Sequence, residues 1–208
     1  MSILAKLEAI KPYQGKDSTE LAAFYIAIQK DPVLVQELVD NLKNKSSTVQ
    51  SDCIKILYEL GKIRPEMISY FAFDFLALLD STNNRLQWGA MTTLDYICQI
   101  VPDTIYEALP KIIEKADSGS VITRDHAVNI LIHLCQHEEY AGYTFPLLIA
   151  QLKVCPINQL PMYAEYAEPI INAKNKTVFV KTLTARLGEI DKESKKYRIE
   201  QVIKKLSK

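Results

Sequence analysis

The chain has 208 residues, of which 48% are hydrophobic and 24% charged, and its 25 basic and 25 acidic side chains give a formal net charge of zero. This size and composition fit one domain with a well-buried core, or two small domains. They exclude a disordered acidic protein, a collagen-like fibre and a disulfide-dense secreted module.

Apolar residues recur at helical spacing along almost the whole chain, and no stretch alternates with the two-residue period of a β-strand. The pattern predicts about twelve helices, at roughly 2–10, 18–30, 32–44, 47–62, 66–80, 84–101, 104–116, 121–137, 144–154, 159–173, 177–189 and 193–207. Because the breaks between them are short, neighbouring helices are expected to pair as antiparallel hairpins.

Cap-forming side chains mark several of these helix starts. Asp17 with Glu20 fits a capping box, and Asp31 precedes Pro32, which is favoured at the first helical position. Further side chains of this kind stand at the breaks 46–48, 81–83, 103–104 and 117–120.

A repeat of 37 residues runs through the predicted helices. One column holds the small residues Cys53, Ala90, Ala127 and Ala164; others hold Leu57, Leu94 and Leu131, and Leu60, Ile97, Leu134 and Ile171. In the preceding helices the same step aligns Leu38, Phe75 and Ile112, and also Leu34, Phe71 and Ala108. The next copy slips by one residue, since Phe145-Pro146 matches Leu109-Pro110 at a step of 36. A hairpin cannot cover its own apolar faces, so the repeat predicts stacked hairpins.

This pattern resembles the HEAT repeat family. Segments 108–116 and 145–152 are similar to its first helix, and segments 49–57, 86–94 and 123–131 to its second helix. The arginine that the family places early in its second helix corresponds here to Gln50, Gln87 and Arg124. The resemblance covers residues 32–173 and implies an all-α, right-handed α-solenoid of about six antiparallel helical hairpins, of the armadillo-type superhelix class. We expect one solenoid domain over residues 1–208, with cap hairpins at 1–31 and 174–208.

The resemblance also implies that the second helices line a concave groove. Columns not used by the core are then expected to face a partner, and they contain Trp88, Tyr96, His126, Asn129, His133, Tyr163 and Tyr166. Aromatic side chains on a concave surface are typical of binding hot spots. A rotation of the helices by one column would instead bury Trp88 or Tyr96 as core, and both placements stay open.

Charge is unevenly distributed along the chain. Residues 1–173 contain 14 basic and 21 acidic side chains, whereas residues 174–208 contain 11 and 4. The basic patch of the last hairpin includes Lys181, Lys192, Lys195, Lys196, Arg198, Lys204 and Lys205. It is either a soluble cap or a docking surface for an acidic protein, RNA or anionic membrane.

Catalytic and metal motifs are weak in this sequence. No phosphate-binding loop or nucleophile elbow occurs, and His133 with His137 has a metal-compatible spacing but lacks the glutamate of the HExxH motif. We therefore predict no cofactor and no metal. Some HEAT-like proteins are alkylpurine DNA glycosylases, in which Trp88, Tyr96 and either Asp95 or Asp125 would have counterparts, and others are bilin lyases.

Together these patterns predict a non-enzymatic protein-binding or scaffold protein that holds a protein or peptide segment in its groove. The alternatives are a DNA-acting enzyme of the glycosylase type and nucleic-acid binding through the C-terminal hairpin. The N-terminal stretch is interrupted by Lys6, Glu8 and Lys11, which does not fit a signal peptide. No window reaches the ~18 apolar residues of a membrane span. None of the four cysteines lies in a CxxC pair, and the prediction is a cytoplasmic location.

Overall fold

The computed structural model describes residues 18–29 and 31–207, and within these ranges the backbone is helical with no β-strand. The helices are α1 (Ser18–Gln29), α2 (Pro32–Asp40), α3 (Ser47–Ile63), α4 (Ala72–Leu78), α5 (Asn84–Ile97), α6 (Pro102–Glu107), α7 (Leu109–Ser118), α8 (Val121–Leu134), α9 (Glu138–Val154), α10 (Leu160–Ala167), α11 (Lys176–Arg186) and α12 (Glu193–Leu206). Short 3₁₀ turns lie at Asn41–Lys43, Pro65–Met67, Ser69–Phe71, Glu168–Ile170 and Leu187–Glu189. The helix predicted at 2–10 lies outside the described residues.

The helices form two compact units, Met1–Ala127 (unit 1) and Val128–Lys208 (unit 2), and the boundary lies within α8. In unit 1, α3 packs against α1 and α5, and α4 packs against α5. In unit 2, α10 packs against α12, and α11 packs against α9 and α12. None of the helices in the described ranges combines the length and apolar character needed to cross a bilayer.

The predicted helices differ clearly from the observed ones in four places. The segment predicted at 66–80 is α-helical only in α4, after two 3₁₀ turns, and the helix predicted at 159–173 ends as α10 at Ala167. The segment predicted as one helix at 104–116 is two helices, α6 and α7, with Ala108 between them and Pro110 in the first turn of α7. Helix α9 begins at Glu138, six residues before the predicted start at 144, and continues through Pro146. A proline inside a helix leaves the carbonyl four residues earlier without its usual donor. Here that carbonyl belongs to Gly142, which is exposed to solvent.

Four of the predicted N-caps are confirmed, and one of them is Ser120, whose Oγ accepts a hydrogen bond from the Thr123 amide at 3.2 Å at the start of α8. The Asp31 carboxylate accepts a hydrogen bond from the Val33 amide at 2.9 Å, and Asn83 Oδ1 accepts one from the Arg85 amide at 3.0 Å. Ser46 Oγ accepts a longer bond, of 3.4 Å, from an amide in the first turn of α3. Asp103 is not a cap, because α6 already begins at Pro102. Asp17 lies outside the described residues.

The repeat columns of the second helices form the cores of the two units. The small and leucine columns are completely buried, at Cys53, Leu57, Ala90, Leu94, Ala127, Leu131 and Ala164. Gly89 shows how closely two helices approach, since a Cβ there would lie 2.6 Å from Cγ1 of Ile54 on α3. The third column ends differently, because Ile171 is partly exposed beyond the C-terminal end of α10.

The repeat column of Gln50, Gln87 and Arg124 has a common role. Gln50 donates to the Asn44 carbonyl at 2.9 Å, and Gln87 donates to the Leu79 carbonyl at 3.0 Å. Arg124 donates to the carbonyls of Ala116 and Asp117 at 3.3 and 3.2 Å. In these three hairpins, this side chain therefore binds carbonyls near the end of the preceding first helix, where backbone carbonyls lack partners within the helix.

Ion pairs join successive first helices of unit 1. The basic residue comes first in the chain at one interface, and the acidic residue comes first at the next. Lys43 Nζ lies 3.9 Å from the Asp74 carboxylate. One repeat later, Asp80 lies 2.6 Å from Lys111 Nζ and 3.0 Å from Lys115 Nζ. Hydrogen bonds from these two lysines lower the pKa of Asp80. The acidic and basic partners have thus exchanged places between one hairpin interface and the next.

Arg186 anchors the C-terminal end of α9 in unit 2. Its side chain is 11% exposed, and its Nη1 donates to the carbonyls of Leu152 and Cys155 at 2.9 and 2.8 Å. Its other edge forms a fork with the Glu189 carboxylate, at 3.1 and 2.7 Å. The guanidinium of α11 therefore donates hydrogen bonds to carbonyls at the C-terminal end of α9 that have no partner within their own helix.

We expect the buried cysteines to react very slowly with thiol reagents in the native state. Burial, with smaller contributions from Asp52 and Glu37, raises the pKa of the Cys53 thiol to about 12, and burial also raises that of Cys98. At about pH 8 the thiolate fraction of Cys53 is then roughly a thousandfold lower than in the unfolded chain. Mass spectrometry after timed labelling would measure this, with the partly exposed Cys135 as the internal comparison. Rapid native labelling of Cys53 would contradict the core assignment.

Candidate functional site

Part-exposed aromatic side chains gather on the second helices of unit 1. Helix α3 contributes Tyr58, α5 contributes Trp88 and Tyr96, and α8 contributes His126, all of them neither buried nor fully exposed. With Arg85 of α5, we call this set the aromatic surface. The repeat explains its position, because the buried columns orient each second helix and leave the intervening positions partly open to solvent.

The ring of Trp88 is held from two sides. The Tyr58 ring lies 5.7 Å away between centroids, tilted by 40°, and Cζ of Arg85 lies 4.3 Å from the Trp88 centroid. Arg85 precedes Trp88 by three residues, which places both on one face of α5. Burial raises the pKa of Tyr58, while the charge of Arg85 and its hydrogen bond to the phenol act in the opposite direction. The cation–π attraction between a guanidinium and an indole stabilises such a pair by about 0.5–1 kcal/mol at an exposed position.

A buried carboxylate orients the other half of the aromatic surface. The Asp95 side chain is 4% exposed, and its Oδ2 lies 2.7 Å from Nδ1 of His126, whose side chain is 20% exposed. The Tyr96 ring meets the His126 ring edge-on, at 6.1 Å and 71°. Burial, followed by the charges of Asp95 and Glu59, raises the pKa of the Tyr96 phenol. The hydrogen bond to Asp95 holds the His126 ring in one orientation, against which Tyr96 packs.

The predicted partner-binding residues of unit 2 do not form a comparable cluster. Asn129 and His133 are partly exposed, and Tyr166 is 52% exposed. Tyr163 is 0% exposed, so the prediction that it faces a partner is wrong: the side chain belongs to the core of unit 2. Gly89 of unit 1, in the same repeat column, is also buried.

The predicted basic patch divides into two groups. Three members bind α10 or the turns beside it: Lys195 donates to Asn158 at 2.6 Å, Arg198 forms a fork with Glu165, and Lys205 pairs with Glu168. The fork lowers the pKa of Glu165. The other four form no ion pair with a described residue, and they are Lys181, Lys192, Lys196 and Lys204.

Within residues 18–29 and 31–207, no group of three His, Cys, Asp or Glu side chains could hold a metal ion. His137, predicted to share a helix face with His133, lies just before α9 and packs its ring 5.6 Å from that of Tyr140. The two histidines are therefore on different elements.

Sequence reasoning missed Tyr58 and Arg85 as members of the aromatic surface. The spacing of Arg85 and Trp88 by three residues was a usable signal for a stacked pair. Tyr58 carries no such signal, because it shares its repeat column with Asp95, one step of 37 residues later.

Comparison with known proteins gives the fold. No family model and no curated protein matches the chain. An engineered protein from the Northeast Structural Genomics Consortium is similar with a TM-score of 0.61 and 18% identity, over 99% of this chain and 98% of that one. A designed armadillo repeat protein in complex with the peptide (KR)4 is similar with a TM-score of 0.69 and 15% identity, over 99% and 91%. The predicted all-α repeat solenoid of armadillo type is confirmed.

Proposed function

We propose that this protein is a non-enzymatic scaffold that binds a peptide segment of a partner protein on the aromatic surface of unit 1. The observation that carries the proposal is the ordering of this surface. Tyr58, Trp88, Tyr96 and His126 stay partly exposed, yet each ring has a ring neighbour at 5.7 or 6.1 Å. Rigid amphipathic rings lose little conformational entropy on binding, which favours affinity.

Charge around the phenols suggests the chemistry of the bound segment. The charge of Glu59 raises the pKa of both Tyr58 and Tyr96, so its carboxylate acts on both rings. A cationic side chain laid on the Tyr96 face would gain a cation–π contact and this nearby negative charge. The designed armadillo repeat protein carries the basic peptide (KR)4, which supports a basic segment as the first ligand to test.

The DNA glycosylase alternative fits the aromatic surface less well. A catalytic aspartate has to contact its substrate, whereas the Asp95 side chain is 4% exposed and is hydrogen-bonded to His126. Arg85 is the one cation of the aromatic surface, and its guanidinium is stacked on Trp88. Duplex DNA binding requires several phosphate contacts. We further propose that the repeats are of the HEAT type, with Gln50, Gln87 and Arg124 in the arginine column. A single domain and a cytoplasmic location stay predictions.

Titration with labelled (KR)4 peptide tests the proposed function. We expect the double substitution Trp88→Ala and Tyr96→Ala to weaken peptide binding by at least about tenfold, equivalent to about 1.4 kcal/mol. The fluorescence of Trp88, the only tryptophan, should change on binding in the wild type. Circular dichroism and thermal melting should stay close to wild type in the variant.

The matched control is Tyr70→Ala with Phe73→Ala, which removes two aromatic rings of unit 1 that are 88% and 73% exposed. This control should bind the peptide as the wild type does. Equal losses in both variants, or a large fall in melting temperature for the first, would overturn the aromatic surface as the binding site. Duplex DNA that binds at low salt and is lost in the first variant would favour the glycosylase alternative.

A further inference from the structure

Helix α11 in unit 2 carries cationic charge without any acidic residue. Its three charged side chains are Lys176, Lys181 and Arg186, as read from the helix sequence. Arg186 is occupied by α9 carbonyls and Glu189. The two lysines form no ion pair with a described residue, and Lys181 is exposed. The helix therefore presents two cations whose charge no described carboxylate neutralises.

These lysines line an open groove of about 670 Å³ along α11. The wall also contains Thr177, Val180 and Thr184, and Ser207 after α12 contributes a further hydroxyl. Among the residues that the structure describes, no carboxylate side chain lines the groove. Hydroxyl donors and two cations around a short aliphatic floor match an elongated anionic ligand with some apolar character.

Three other cations of the basic hairpin already have side-chain partners. Lys195, Arg198 and Lys205 pair with the side chains of Asn158, Glu165 and Glu168. They stabilise the packing of α12 on α10 and bring no surplus charge to a partner. Of the patch predicted from sequence, Lys181 alone lines the groove, which also includes Lys176 from outside that patch.

We propose that the α11 groove binds an acidic peptide segment of a partner protein, with carboxylates on Lys176 and Lys181. Five residues of helix separate the two lysines by about 7.5 Å along the axis and by about 140° around it, so they flank the groove from different sides. Two side chains on the same face of an extended peptide are about 6.6 Å apart, a spacing that long and rotatable lysine side chains can bridge. A segment with acidic residues at alternate positions is therefore the first ligand to test. This site goes beyond the proposed function, because it lies in unit 2 and takes a ligand of opposite charge.

The groove chemistry favours a peptide over other anions. Single-stranded nucleic acid is held by aromatic stacking platforms, and none of the described residues that line this groove is aromatic. Peripheral membrane binding requires bulky apolar side chains that enter the bilayer, and the apolar lining consists of Val180 and Ala185.

The test is fluorescence anisotropy of the full chain with a labelled peptide of alternating glutamate and serine at low ionic strength. We expect Lys176→Glu with Lys181→Glu to weaken binding by at least about tenfold, and added salt to weaken wild-type binding. The matched control is Lys45→Glu with Lys153→Glu, which makes the same change in net charge at two other exposed lysines. This control should lose less than about twofold, and circular dichroism of both variants should match the wild type.

Three results would overturn the proposal. They are absence of peptide binding at low salt, equal losses in the two double variants, and displacement of the peptide by a single-stranded oligonucleotide that binds more tightly. Binding of (KR)4 is read separately, so failure of this site and failure of the aromatic surface are distinguishable.

Discussion

Tyr163→Ala should lower the free energy of unfolding by about 3–5 kcal/mol, because it removes a large side chain that is completely buried in unit 2. Three residues later on the same helix, Tyr166→Ala should change it by less than about 1 kcal/mol, since that ring is 52% exposed. The two substitutions delete the same atoms from one helix, and only the burial differs.

Chemical denaturation followed by far-ultraviolet circular dichroism would measure both variants. Similar midpoints for Tyr163→Ala and wild type would contradict the burial of this ring. They would also restore the original expectation that Tyr163 faces a partner, which peptide binding by the same variant would then examine.

The second large effect is expected for Arg186→Met. The substitution keeps an aliphatic stem but removes the donors to the carbonyls of Leu152 and Cys155. Unsatisfied buried acceptors cost about 1–3 kcal/mol each, so the loss of both donors should lower the stability of unit 2 by about 2–6 kcal/mol. The Glu189 partner is about half exposed and contributes little to this figure.

Two further variants separate the causes of that loss. Glu189→Gln removes the ion pair and keeps the carbonyl bonds, and its stability should stay close to that of the wild type. Lys181→Met removes an exposed cation of the same helix and should be close to neutral. If Glu189→Gln proved as destabilising as Arg186→Met, the ion pair rather than the end of α9 would be the stabilising contact.

Much of the fold was predictable because the repeat columns report burial directly. Cys53, Ala90 and Ala127 align at one step of 37 residues, and all three are fully buried. The face that each second helix presents was less predictable. Each residue inserted or lost rotates the following positions by about 100° around the helix axis. A one-residue slip occurs at Phe145, upstream of α10, and Tyr163 lies in the core rather than on the surface.

The candidate site was predictable in composition but not in its contacts. Trp88, Tyr96 and His126 were predicted as surface residues because they lie in repeat columns that the core does not use. Their contact partners could not be predicted, because these depend on side-chain rotamers and on the distances between helices. Asp95 and His126 are 31 residues apart and meet at 2.7 Å. Lys43 and Asp74 are separated by the same 31 residues. Both pairs join one hairpin to the next, where the two hairpins present complementary side chains.

The reversed ion pairs of unit 1 have a consequence for how the repeats can be rearranged. Removing one 37-residue step between α2 and α5 would bring Lys43 opposite Lys111, two cations in place of an ion pair. Duplicating the same segment would bring Asp80 opposite a second copy of Asp74. Each mismatch opposes the altered register through like-charge repulsion. The charge pattern therefore favours the existing number of hairpins over one more or one fewer, by the small free energy that exposed ion pairs contribute.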